Sequence, residues 1–340
     1  MPMPHHRPEV ALTMLLAACA GQDAPAPAAA AAPPLRLLRT IDLPAVAGRI
    51  DHLACAVADH RLFVAALGNG SVEVVDLALG VRERSLGGLA EPQGIAFAAE
   101  TRRIVVACGG DGVVVAFDVA TLREVARRDV GDDADNVRSA ADGTVVVGCG
   151  DGELVRLAAA DLQPAGKVAC GGHPESFQLL PDAHALVNVP SAGDDRGGAV
   201  LLLDLGKGRV AASWRVPARA NFPLALEPGG ARALVGCRNP ARLVQLDAKD
   251  GRTLATADCI GDLDDVFVDS KTARVFAIGG DGAVDVFALD AAPGLRPVAR
   301  VPTRAGARTG LFVPELRRLF VAAPARDGAP AAIQEFAVDG

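Results

Sequence analysis

Tyrosine is absent from this 340-residue chain, tryptophan occurs once and phenylalanine eleven times. That scarcity excludes an aromatic cage as the recognition device. It leaves the core to Val, Leu, Ile and Ala, the residues of short, closely packed strands. Lysine is nearly as scarce, with only Lys167, Lys207, Lys249 and Lys271. The formal charge is -7 and no basic block occurs, so nucleic acid is not an expected partner. Catalytic signatures are missing too: there is no GxSxG, HExxH or SxxK, and Gly68-Asn69-Gly70 leads into a strand pattern instead of a helix. No catalytic residue is therefore assigned. Outside the N-terminal segment, no two histidines sit at metal-ligand spacing within one element.

What is present begins with a targeting pattern over residues 1–19. His5, His6 and Arg7 precede the apolar run Val10 to Ala18, which is too short to span a bilayer but suits a secretory signal. Leu16-Ala17-Ala18-Cys19 resembles a bacterial lipobox, which makes Cys19 a candidate for lipidation. Residues 20–34, Ala/Pro-rich throughout and solely Ala and Pro from Ala24, suit an extended tether. The expected location is the periplasm, with membrane contact only through a lipid on Cys19. Export implies an oxidising compartment for Cys55, Cys108, Cys149, Cys170, Cys237 and Cys259. No CxxC pair occurs, which removes thioredoxin, c-type haem and paired-Cys zinc chemistry. Cys108, Cys149 and Cys237 close similar apolar runs and read as small buried hydrophobes.

Residues 35–340 are a repeat. One apolar core recurs as LFVAA, IVVAC, VVVGC, LVNVP, ALVGC, VFAIG and LFVAA. Their central residues, Val64, Val106, Val147, Asn188, Val235, Ala277 and Val321, are spaced by 42, 41, 41, 47, 42 and 44 residues. That period predicts four-stranded blades in an all-β, seven-bladed β-propeller. Asn69-Gly70, Asp111-Gly112 and Asp281-Gly282 are read as type I′ hairpin turns. Ser191 to Gly198 absorbs the longest spacing. The last repeat lacks its fourth strand, and Leu35 to Leu43 is expected to supply it, burying Leu35, Leu37, Leu38 and Ile41.

The repeats, together with RIDHLA, EPQGIAF, DDADNVR, GHPESFQL, ARANFPLAL and GARTGLFVPEL, resemble the YncE-like (YVTN-repeat) family of bacterial β-propellers over Leu35 to Gly340. The resemblance implies a fold and an exported protein rather than a reaction. Some relatives carry a nucleotide-binding label, from which this chain departs. It has no GxxxxGK[ST] loop, and its GK pairs at Gly166-Lys167 and Gly206-Lys207 fall in short turns.

Aligning the starts of the seven innermost strands yields a polar column: Asp51, Gln93, Asp135, Glu175, Asn221, Asp264 and Arg308. The next column adds His52, Asn136, Asp265 and Thr309. One position per blade forms a ring about the propeller axis, so this column is expected to line a channel mouth. Four carboxylates face Arg308, which lies between Asp264 and Asp51 and leaves the repulsion around Asp135 and Glu175 unrelieved. The structural alternative is that these residues cap strand ends and hydrate an open channel. The leading expectation is a monomeric, non-enzymatic module that binds a small molecule or envelope protein through Asp51, His52, Gln93, Asp135, Asn136, Glu175, Asn221, Asp264, Asp265 and Arg308. A divalent cation held by Glu175, Asn221 and Asp264 is the cofactor considered, and it would make a lactonase-like hydrolase the alternative. A third option is an assembly scaffold using the blade edges.

Overall fold

Each recurrent apolar core becomes the second strand of a blade, because its side chains are buried on both faces and bear no charge. The computed structural model describes residues 1–4, 33–190 and 198–339. Cys19, nearly all of the proposed signal and tether, and nearly all of the Ser191 to Gly198 loop lie outside the described residues. Among the described residues there are seven sheets of four antiparallel strands, which establishes the β-propeller. Blade one runs outward through Leu53–Ala56, Arg61–Ala66, Ser71–Asp76 and Val81–Gly87. The other innermost strands are Pro92–Ala98, Ala134–Ser139, Phe177–Leu180, Arg219–Leu226, Leu263–Asp269 and Thr309–Val313. Each touches its neighbour in sequence, and the seventh touches the first, so the ring closes.

The apolar core lies between blades. Phe63, Val72 and Val74 of blade one, for instance, pack on Ile95, Ile104, Val106 and Phe117 of blade two. Blade seven consists of Thr309–Val313, Arg318–Ala323, Ala331–Val338 and, outermost, Leu35–Leu43. The register of this closure runs from Leu35 opposite Val338 to Leu43 opposite Ala331. Leu35, Ile41 and Leu43 are buried, whereas Leu37 and Leu38 are exposed, contrary to expectation. A register shift between Leu37 and Arg39 re-aims the strand, and Arg39 pairs with Glu335 at 2.6 Å.

The turns also differ from the expected type I′. Gly70, Gly112 and Gly282 have φ of 64°, 66° and 93°, but Asn69, Asp111 and Asp281 are not left-handed. Ala66 pairs with Ser71 and Cys108 with Val113, leaving four-residue loops that a two-residue turn cannot fill. Such loops take a right-handed turn closed by one left-handed glycine. No helix among the described residues is long and apolar enough to cross a membrane.

Candidate functional site

The polar column sits where the innermost ladders are interrupted. Register shifts fall between Pro92 and Ile95, Ala134 and Val137, Asn221 and Leu224, and Leu263 and Asp265. At such bulges the backbone leaves its pairing and can turn side chains toward the axis. The residues just before the polar column, such as Ile50, Ala134, Leu263 and Ala307, point into the core, and the polar residues after them face the channel. Glu91, Asp133 and Asp262, two residues before the polar column, are left-handed, with φ of 51°, 42° and 51°. Gly94 is required here, since a Cβ would lie 1.9 Å from the Asp135 carbonyl oxygen of the next blade.

Asp51, His52, Asp135, Asn136, Glu175 and Asp264 are brought together around a small pocket of about 30 Å³, with Arg49, Ser176 and Phe222. This volume suits an ion or a water rather than an organic ligand. Asn221 is absent from the lining. It is fully buried and donates to Asn188 Oδ1 at 3.2 Å and to the Ala199 carbonyl at 3.1 Å. Asn188 in turn donates to the carbonyls of Phe222 and Pro223 at 3.0 Å. The pair braces blade four to blade five, so Glu175, Asn221 and Asp264 do not form the expected triple. The sequence signal was Asn188 itself, polar in an otherwise apolar column. Gln93 braces blades two and three by donating to Asp133 at 3.0 Å. Thr309 is buried, and its hydroxyl donates to the Ile50 carbonyl at 3.4 Å.

Arg308 is not the lone cation. Arg49 pairs with Asp51 at 2.7 Å, and Arg238 and Arg308 together clamp Asp264, the latter at 3.0 Å. Arg238 lies over Phe222, 4.1 Å from the ring centre. It occupies the place after the apolar core where the repeat has Gly109, Gly150 and Gly280, a substitution visible in the sequence. Burial still lifts Asp264 to about 6, against Arg238 and Arg308 and with the repulsion of Asp51.

Asp135 and Glu175 have no Arg or Lys within ion-pair distance among the described residues, although Arg238 and Arg49 act on Glu175 from further away. Burial, then repulsion from Asp51 and Glu175, holds Asp135 well above the usual range despite His52. Burial raises Glu175, opposed by His173. Asp135, His173 and Glu175 place one ligand atom each within 4.8 Å of one another, an arrangement able to hold a cation. His52 links the ring to the deeper channel. Its Nδ1 lies 3.8 Å from Asp265, and its Nε2 lies 3.2 Å from Asn136. Burial opposes its protonation, but the charge and hydrogen bond of Asp265, backed by Asp51 and Asp135, prevail and lift the imidazole to about 10. Asp265 also accepts the Gly310 N–H at 2.8 Å.

Beyond this constriction the channel opens into a chamber of about 720 Å³ that the polar column did not reveal. His52 and Ser176 belong to both spaces. The chamber floor carries His52, Arg138, Ser176 and Asp265, and its walls include Leu53, Ile95, Phe97, Leu224, Phe267 and Leu311. Exposed Ala58, Ala99, Pro314 and Glu315 mark its mouth. The innermost strands begin at the ring and end at this mouth, so their later, apolar positions form the walls. All six described cysteines are free, and burial pushes each thiol up to about 12, which argues against a thiolate nucleophile. Cys108, Cys149 and Cys237 are buried in the blade cores.

The fold and channel define a seven-bladed β-propeller with a polar constriction on its axis. No protein-family model matches the chain, and no curated protein matches it. A chain of hydrazine synthase from Kuenenia stuttgartiensis superposes with a TM-score of 0.74, covering 85% of this chain and 96% of that one at 16% identity. A chain from a mitotic checkpoint complex reaches 0.75, covering 96% and 99% at 14% identity. At these identities the likeness is one of fold alone.

Proposed function

We propose that this protein is a small-molecule binding module whose ligand occupies the apolar chamber, with its polar end on the channel floor. The observation that carries this reading is the 720 Å³ chamber itself, walled by apolar side chains and floored by convergent polar groups. Those are the features of an organic ligand site. The neutral dye Nile red is expected to bind saturably at one site per chain. Cys55→Phe, which fills the chamber from a half-buried wall position, should abolish that binding without unfolding the chain. Saturable binding unchanged in this variant would move the site elsewhere, and no binding would remove the reading.

In the same proposal the chain is exported and anchored by lipid on Cys19, and its motifs align with YncE-like propellers. The polar ring supports a second reading, a cation-dependent hydrolase, through the Asp135, His173 and Glu175 cluster instead of the triple expected from the sequence. Calorimetric binding of zinc, calcium, magnesium or manganese, lost in Glu175→Gln, supports it. Heats no larger than dilution for all four ions remove it.

A further inference from the structure

Resting on the chamber as the ligand site, we infer that the ligand is an amphipathic organic acid whose carboxylate is bound by Arg138. Arg138 extends from the innermost strand of blade three into the chamber floor. Its Nη1 donates to Asn136 Oδ1 and to the Val137 carbonyl, the latter at 2.9 Å. Among the described residues its Nε and Nη2 make no hydrogen bond, and no carboxylate lies within ion-pair distance. The other axial guanidiniums differ in this respect, since Arg49, Arg238 and Arg308 each have a carboxylate partner. Arg138 also rests 5.5 Å from the centre of the Phe177 ring, which holds the guanidinium plane in place.

Arg138 is half-buried and its open Nε and Nη2 donors remain accessible, and a rigid guanidinium fork of this kind matches a carboxylate through two parallel hydrogen bonds. Burial lowers the Arg138 pKa, and Asp265 and Asp135 oppose this only at a distance. Neither nearby acid competes for the fork. Asp265 accepts from Gly310 and faces His52, and Asp135 belongs to the small pocket on the other side of the constriction. Glu315 stands at the mouth, and like-charge repulsion there disfavours a bound pose with the carboxylate at the mouth instead of at the floor. The apolar walls between mouth and floor accommodate a hydrocarbon or aryl body. The ligand class is thus an acid with one charged end and an apolar remainder.

Decanoate and 1-decanol, equal in chain length and different in head group, are the probes, titrated calorimetrically at neutral pH. The wild-type chain is expected to hold decanoate roughly tenfold to a hundredfold more tightly than decanol, the advantage of hydrogen bonds to a charged group. Arg138→Met should erase that preference while decanol binding persists, and Arg138→Lys should keep part of it. Equal affinities in the wild type, a comparison that needs no variant, would overturn the carboxylate assignment and leave the chamber reading standing. A preference that survives Arg138→Met would overturn it as well. Failure of both probes and of Nile red would sink the chamber reading and this inference together.

Discussion

His52 shows how a single side chain takes its chemistry from residues far away in sequence. Its imidazole titrates near 10 in the folded chain, against about 6.5 for an unperturbed histidine. Protonation therefore stabilises the fold fully below about pH 6.5, and that contribution drains away as pH rises toward 10. The native state binds the extra proton across this window, so unfolding free energy should fall by at most about 1.4 kcal/mol per pH unit. Chemical denaturation between pH 6.5 and 10 should show this slope in the wild type and a flatter one in His52→Gln. Equal slopes would place the His52 proton in solvent instead of in the Asp265 network. Asp264, lifted to about 6, adds a decline at lower pH, between its ordinary 3.8 and 6, where ionising the buried carboxyl costs stability. Arg49 and Arg238 complete the residue-level picture. Both lie outside the aligned polar column and reach it only because a guanidinium stem is long.

The element that decides the integrity of the ring is the N-terminal strand Leu35–Leu43. It contributes three buried apolar side chains, Leu35, Ile41 and Leu43, and the Arg39 to Glu335 ion pair. Deleting it while retaining the segment before it should destabilise the protein by at least ~3 kcal/mol, from apolar burial alone. The deletion also exposes the edge of Ala331–Val338, which invites association between chains. Thermal unfolding with size-exclusion chromatography checks both effects, and a monomer whose melting temperature drops by only a degree or so would contradict the closure role. The sequence identified this strand because its repeat was one strand short. It did not locate the register shift at Leu37, because both faces of the segment carry leucines and alternation alone does not say which face is inside.

For the whole molecule, a lipid on Cys19 followed by an Ala/Pro tether would hold the propeller off a membrane surface. Multiply acylated chains gain about 0.8 kcal/mol per buried methylene, so attachment should survive high salt. Cys19→Ala should shift the protein from the membrane pellet to the soluble envelope fraction. Identical fractionation of the two proteins would favour an ordinary cleaved signal.

Blade number, strand order and the polar column were legible from the sequence alone. A hairpin and its apolar core are local, and a period near 42 residues repeats that local instruction seven times. Circular closure then places equivalent positions around one axis. Only the tertiary structure decided which of those polar residues share a space. Asn221 left the ring to satisfy Asn188, Arg238 entered it from a second strand, and Arg138 was left facing the chamber without a counter-ion. Each outcome depends on how neighbouring blades tilt and on which partner lies within the few ångströms a hydrogen bond allows. The chamber belongs to the same category. Its volume is the space that seven innermost strands leave between them, and no single strand's sequence contains it.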